Sequence, residues 1–389
     1  MPWRESSVIE ERLRFVILAS RGERRFQDIC GEFGISRQTG YTWLERWDKE
    51  GVQGLEERSR RPKTSPGRTA EAIEQAVVEL RLKWPDWGAP KLAKLLSAQN
   101  PAVIVPARTV HRILERHDLI QAEDRRAQAC QRFERGEPNE LWQMDFKGPQ
   151  GFNKGSPVGP LSVLDDHSRY LLVLQHIGST QMVGVRHWLE KAFREYGLPE
   201  MLLIEHGTPW WNAQSPWGLT ELSVWIMRLG VRLTYSGTRH PQTQGKIERM
   251  HGALQRAINK RKANPEDQVW LDQFRHEYNY VRPHEALKLT TPSSRWRASP
   301  RPWPARLKDW EYAADMETVQ LGCDGQLGWR GRRWEISNAL RNMVVGIQVL
   351  ESRAVVYFCR TPMRELNLST GATTWILGRP IRSLVQPQL

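Results

Sequence analysis

Cysteine is scarce in this chain and carries no pattern. Cys30, Cys130, Cys323 and Cys359 are scattered, with no Cys-x-x-Cys pair and no histidine at ligand spacing. That argues against a structural zinc and against a disulfide framework. Long apolar runs are missing as well. No stretch approaches the roughly 20 residues of a membrane span. Met1-Pro2-Trp3-Arg4-Glu5-Ser6 leads into charge instead of the apolar core of a secretion signal. A cytoplasmic protein without a membrane partner is the expectation. Acidic residues are in deficit: 44 Asp+Glu stand against 57 Lys+Arg, a formal net charge of +13. A surplus of that size favours a polyanionic partner, and nucleic acid over membrane, because no basic amphipathic helix stands beside an apolar anchor.

At 389 residues the chain exceeds one ordinary core, so several domains are expected. Its 18 tryptophans read mainly as packing residues. Residues 9–50 repeat apolar positions at helical period. Phe26–Phe33 reads as a helix, Gly34-Ile35 as a tight turn, and Ser36 as the cap of a second helix through Trp47. A corner of this kind needs a residue tolerant of positive φ followed by an N-cap, the pattern of a helix-turn-helix. Arg37, Gln38 and Thr39 fall on the first turn of the second helix, where they can reach bases or phosphates in a major groove. A first domain over residues 1–56 is therefore expected to bind DNA.

Residues 57–69 form a basic linker rich in Pro, Gly and Ser. Its Arg58, Arg60, Arg61, Lys63 and Arg68 suit either a phosphate track or a solvated tether. A second helical DNA-binding domain is expected over 70–120, with helices at Ala70–Trp84, Ala89–Ser97 and Pro106–His117. Arg108, Thr109 and Arg112 again resemble the start of a recognition helix. A charged connector covers 121–138.

From 139 to 298 strands alternate with helices. Leu141–Phe146 is a strand, and Leu161–Leu164 with Tyr170–Leu174 form a hairpin. Gln181–Tyr196 is an amphipathic helix ended by Gly197. Met201–Glu205 is a strand, Leu219–Gly230 a helix, Val231–Tyr235 a strand and Thr243–Lys262 a long helix. That order predicts a mixed sheet with helices packed on it. Residues 299–389 return to strands, with a hairpin signal at Asp324-Gly325, and predict a small β-barrel. Trp329–Trp334 mixes cations with aromatics and suits DNA contact or a solvated hairpin.

Three acidic residues stand where strand ends and a helix start can bring them together: Asp145, Glu205 and Glu248. Grouped carboxylates attract a hard cation, Mg²⁺ by default. On a chain built to hold DNA this points to metal-dependent phosphodiester chemistry. Asp165 and Asp166, in the predicted hairpin turn, read instead as acceptors for backbone N–H groups. His206 and His240 suit contact with phosphate or substrate, although a lone histidine is more often a hydrogen-bonded structural residue. Asn279, Arg282 and His284 suit either phosphate contact or helix docking.

Four strings together carry a family resemblance: Trp142–Gly148, Val163–Arg169, His240–Arg249, and Tyr278–Leu287 followed by Thr291-Pro292. The chain resembles bacterial insertion-sequence transposases of the DDE class, specifically the 481 family of insertion sequences. The resemblance implies an α/β ribonuclease-H-like catalytic core, flanked by the N-terminal all-α helix-turn-helix domains and the C-terminal small β-barrel. It implies two Mg²⁺ ions held by three carboxylates, with Mn²⁺ able to substitute. Asp145 matches the first carboxylate and Glu248 the third. Lys246 and Arg249, beside Glu248, are assigned to DNA. The second carboxylate falls on Glu205, where the family has Asp-Asn-Gly and this chain has Glu205-His206-Gly207. The extra methylene shifts the carboxylate by about 1.5 Å, and a misplacement near 1 Å costs on the order of a hundredfold in rate. The implied partners are double-stranded DNA, as terminal inverted repeats and target, and further copies of the chain. The rival expectation, resting on Glu205, is a DNA-binding protein or repressor that keeps the fold without cutting.

Overall fold

The computed structural model describes residues 7–58, 69–120, 134–148, 158–212, 218–235 and 244–377. The chain divides into two compact units, Met1–Thr69 and Ala70–Leu389.

The first unit is helical. Helix α1 (Val8–Ser20) opens with a capping box in which Ser7 and Glu10 satisfy each other's backbone N–H. Helices α2 (Phe26–Glu32) and α3 (Arg37–Glu50) follow the expected corner: Gly34 has φ 63°, and Ser36 Oγ accepts from Thr39 N at 3.1 Å. Phe15, Val16, Ile29, Cys30 and Leu55 make the buried centre. Gly40 allows α3 to approach so closely. A Cβ there would stand 2.9 Å from Cys30 Sγ, Phe15 Cζ and Phe26 Cζ. Gly40→Val is therefore expected to overpack this centre at a cost of about 1–3 kcal/mol. Hydrogen exchange across residues 8–55 of the full chain should accelerate accordingly; unchanged protection would refute the close approach.

The second unit begins with α4 (Glu71–Lys83), α5 (Ala89–Gln99) and α6 (Ala107–Arg116), packed around Val77, Trp87, Leu92, Val110 and Ile113. A five-stranded sheet follows, built from β1 (Trp142–Phe146), β2 (Leu161–Asp165), β3 (Leu171–Gln175), β4 (Met201–Ile204) and β5 (Arg232–Tyr235). Its order is β3-β2-β1-β4-β5, with β1, β2 and β3 antiparallel and β4 and β5 parallel to β1. This is the expected mixed sheet in the ribonuclease-H-like order. The strands formed where apolar runs predicted them because both faces are covered. On one side lie α7 (Met182–Tyr196) and α8 (Glu221–Arg228), whose Val185, Leu189, Leu222 and Ile226 join Trp142, Met144 and Val163 in one core. On the other lie α9 (Gly245–Arg261) and α10 (Gln268–His276), whose Ile247, Leu254, Leu271 and Phe274 meet Leu164, Leu171 and Leu174. The sequence pattern had not separated α10 from its surroundings.

The helices α4–α6 are docked onto this core by ions. Asp86, fully buried, accepts from Arg261 Nη2 at 2.6 Å and Nε at 3.0 Å, and from Arg282 Nη1 at 3.0 Å. Arg261 also reaches Glu277, while Lys91 Nζ lies 2.5 Å from Glu285 Oε1. Asn279 grips the edge strand β3 at both polar atoms of Leu171, donating to its carbonyl at 2.9 Å and accepting from its N–H at 2.8 Å. His284 Nε2 lies 3.2 Å from the Tyr278 carbonyl. The polar string Asn279, Arg282, His284 thus serves docking.

The C-terminal region differs from the barrel expected there. Strands β6 (Glu317–Gln320), β9 (Val344–Leu350), β10 (Arg353–Phe358), β11 (Thr361–Asn367) and β12 (Thr373–Trp375) form an open antiparallel sheet in the order β12-β11-β10-β9-β6. Among the described residues, strands β7 (Gln326–Trp329) and β8 (Arg332–Glu335) pair only with each other. Among the described residues no ladder joins β12 to β6, so the barrel is not closed. Leu327, Trp329 and Trp334 instead share the apolar core with Val345, Ile347 and Val356. The Asp324-Gly325 turn exists, with Gly325 at φ 77°, but it leads from β6 to β7, which belong to different sheets. The true hairpin turns at Arg330-Gly331, where both residues have positive φ, as a two-residue hairpin loop requires. Within Trp329–Trp334 the tryptophans are buried while Arg332 and Arg333 remain exposed. Among the described residues no helix is long and apolar enough to cross a membrane.

Candidate active site and nucleic-acid interface

Asp145 lies on the central strand β1, opposite Ser162 of β2. Glu205 is the first residue beyond β4, the parallel neighbour of β1. Glu248 lies in the first turn of α9, which packs under the same sheet. Asp145 is half-buried, whereas Glu205 and Glu248 are exposed. Burial first, then the negative charge of Glu205, push the Asp145 carboxyl up to about 8; the Phe146 N–H opposes this, and Glu248 adds to it. Asp145 therefore senses both other carboxylates, although all three are far apart in the chain.

Among the described residues, no cation figures among the causes that set the Asp145 carboxyl. His251, one helical turn beyond Glu248, brings Nδ1 to 3.8 Å from Asp145 Oδ2 while its Nε2 lies 3.0 Å from Ser162 Oγ. Burial, reinforced by the charge of Lys147, holds its pKa down to about 3. The imidazole is thus neutral and supplies no counter-charge at neutral pH. The Lys147 ammonium is itself pulled below its ordinary range by burial. Sequence reasoning missed His251; its spacing of three from Glu248 on a helix was the available signal.

An oxygen-only donor set whose most buried member, Asp145, resists ionisation fits a hard divalent cation in charge and chemistry. As they stand, no three His, Cys, Asp or Glu side chains among the described residues are grouped closely enough to hold one ion.

The paired aspartates in the β2–β3 turn do other work. Asp165 accepts from Ser168 N, Ser168 Oγ and Asn139 N at 2.7, 2.6 and 2.8 Å, closing the turn as expected. Asp166 accepts from Gln143 Nε2 at 2.8 Å and Arg135 N at 2.9 Å, and forms a short ion pair with Lys246. Lys246, assigned to DNA by its sequence setting, pairs its ammonium with Asp166. Its neighbour Arg249 is exposed beside Glu248. His206 packs with Trp211 and Tyr235 at ring distances of 4.8 and 5.0 Å. His240 lies outside the described residues.

Two helix starts present the remaining DNA candidates. Arg37, Gln38 and Thr39 are exposed on the first turn of α3. Arg108 and Arg112 are exposed on α6, with Thr109 half-buried between them. Arg58 pairs with Glu50. Arg60, Arg61, Lys63 and Arg68 lie outside the described residues.

Comparison with known families bears on this arrangement directly. A helix-turn-helix domain matches residues 11–63, and a homeodomain-like domain matches 39–114. An integrase core domain matches residues 135–241, and a second integrase core model matches 229–292. The chain carries an integrase core. With the helix-turn-helix domains ahead of it, that core supports an insertion-sequence transposase of the DDE type and implies DNA binding. Asp145 and Glu205 fall within the first integrase match and Glu248 within the second.

Solved structures that the integrase-core chain resembles include an intasome of simian T-cell lymphotropic virus in complex with the PP2A regulatory subunit B56 gamma. There the identity is 14%, over 77% of this chain and 95% of that one, with a TM-score of 0.37. Another is the HTLV-2 integrase catalytic core domain in complex with magnesium, a trimeric form, at 13% identity over 41% of this chain and 97% of that one, TM-score 0.33. A third is the catalytic core domain of BIV integrase, at 21% identity over 40% and 92%, TM-score 0.31.

Proposed function

We propose that the protein binds the terminal inverted repeats of its element, cleaves phosphodiester bonds at the element ends and joins the freed 3′-hydroxyl to target DNA. What supports this reading is the placement of Asp145 on β1, Glu205 just beyond β4 and Glu248 in the first turn of α9, all within the integrase core matches, with the Asp145 carboxyl pushed up to about 8 by burial and by the charges of Glu205 and Glu248. A protein gains little stability from a carboxyl buried beside like charge, and a group perturbed in this way marks a candidate functional site. Asp145, Glu205 and Glu248 are the residues that would hold Mg²⁺, as two ions, with Mn²⁺ able to replace it. When bound, the ions neutralise charge on the attacking and leaving oxygens of an in-line displacement.

The rest belongs to the chain's own residues. Asp145 stands central to the set, and neutral His251 lies beside it without cancelling its charge. Arg249, exposed one residue after Glu248, is placed to meet a phosphate. Arg37, Gln38 and Thr39 on α3, the basic linker 57–69, and Arg108, Thr109 and Arg112 on α6 hold the duplex. Water forms the first new P–O bond as the strand breaks; the freed 3′-hydroxyl forms the second as the target strand breaks. No residue becomes covalently attached to DNA. Pairing two ends requires at least two copies of the chain. The corresponding domains are 1–56 and 70–120 for DNA, 139–298 for catalysis and 299–389 as the C-terminal module, with connectors at 57–69 and 121–138.

A second reading, a DNA-binding repressor on the same fold, is favoured by Glu205 and by the open spacing of the three carboxylates. Cleavage and joining of DNA carrying the source-element ends, in Mg²⁺ and in Mn²⁺, separates the two. The chain as it stands is expected to cleave and join. Activity confined to Glu205→Asp would make this chain an attenuated form. End binding without cleavage by either protein would establish the repressor.

A further inference from the structure

Asp166 has no part in the reaction proposed above, yet its carboxylate is fully buried and, among the described residues, accepts from Gln143, Arg135 and Lys246, all outside its own turn. Its neighbour Asp165 already closes the β2–β3 turn. Oδ1 of Asp166 accepts from Gln143 Nε2 at 2.8 Å, and Oδ2 takes the ammonium of Lys246, which also donates to the Asp166 carbonyl at 3.1 Å. Gln143, 1% exposed, lies on β1 two residues before Asp145. Its other amide atom, Oε1, accepts from Ile247 N at 3.2 Å in the first turn of α9.

That last bond matters because the first N–H groups of a helix have no intrahelical acceptor. Gln244, at the N-cap of α9, offers no side-chain cap. The cap comes instead from β1, through Gln143. Lys246 and Ile247, both held by this network, immediately precede Glu248. One buried amide therefore ties the strand bearing Asp145 to the helix start bearing Glu248, and Asp166 holds that amide in its orientation.

We infer that Gln143, Asp166 and Lys246 form a strut that fixes the separation of Asp145 and Glu248 and so sets the affinity of the site for a divalent cation. The inference rests on the proposed assignment of those two carboxylates as ligands. The three are positioning residues. Outer partners of this kind typically govern metal affinity by about 10–100-fold.

The test is Mn²⁺ binding to the full-length protein without DNA, followed by calorimetry and by electron paramagnetic resonance, for the parent, Gln143→Leu, Asp166→Asn, Lys246→Met and Asp145→Asn. Thermal unfolding and end-DNA binding are measured alongside. Gln143→Leu and Asp166→Asn are expected to weaken Mn²⁺ binding by about tenfold or more while end binding stays within about twofold. Asp166→Asn keeps the shape of the side chain, so it decides the matter should Gln143→Leu fail to fold. Folded variants that bind Mn²⁺ like the parent would overturn the strut and leave the ligand assignment standing. Mn²⁺ binding unaffected by Asp145→Asn would overturn both.

Discussion

Asp145→Asn is expected to abolish cleavage and joining together, by on the order of a thousandfold or more, while the protein still binds element ends. Removing one charge-stabilising group from a preorganised site commonly costs a hundred- to a thousandfold, and groups that act as a unit cost more. Asparagine preserves the size of the Asp145 side chain and removes only the ionisable oxygen. Apart from Arg249, the exposed candidates for end binding lie elsewhere, on α3 and α6. A gel shift with the terminal repeat should therefore match the parent. Glu248→Gln should behave the same way, since its side chain is exposed in the first turn of α9 and the change removes its charge without disturbing buried packing. Joining retained by either variant would remove that residue from the catalytic set. The two steps should fall together, because one set of carboxylates is proposed for both displacements.

Asp86→Ala should produce the largest loss of stability, about 3–5 kcal/mol, the usual consequence of removing one partner from a buried ion pair. Asp86 is fully buried and holds two arginines, Arg261 of α9 and Arg282 beyond α10, the latter 4% exposed at its side chain. Without the carboxylate both guanidinium groups stay in a poorly solvated place. Stacked Trp84 and Trp87, 4.6 Å apart and beneath Arg261 and Arg282, cannot replace it. Calorimetry of the full chain should show a lowered transition, and proteolysis should reach the α4–α6 region first. A transition within a degree of the parent would mean that the ion pairs contribute no net stability.

The sheet was legible because Met201–Ile204 and Leu171–Leu174 are uninterrupted apolar runs, as strands buried on both faces must be. The corner before α3 was legible because Gly34 and Ser36 have narrow conformational uses. Asp145 and Glu248 stood out by their settings, at a strand and a helix start. What could not be read was contact between distant residues. Nothing local marks Asp86 as the partner of Arg261, and nothing in Gly-Lys-Ile-Glu tells that Lys246 turns inward to Asp166 while Arg249 turns out. His251 was hidden for a similar reason, since its neutrality follows from burial by the sheet above it. The barrel failed on topology. Alternation along Met343–Cys359 identified strands correctly but carries no information on whether the first and last strands of a sheet meet.

The ionic dock between α4–α6 and the sheet also has a thermodynamic meaning. Helices fused to a core by buried charge melt with it, so free energy delivered to one is shared by the other. A duplex bound along Arg108 and Arg112 of α6 at a hundred times its dissociation constant would add about 2.7 kcal/mol to the unfolding of the whole cooperative body. The sheet that carries Asp145 is then hardest to unfold when a duplex is held on α6, although no residue of that sheet need touch it.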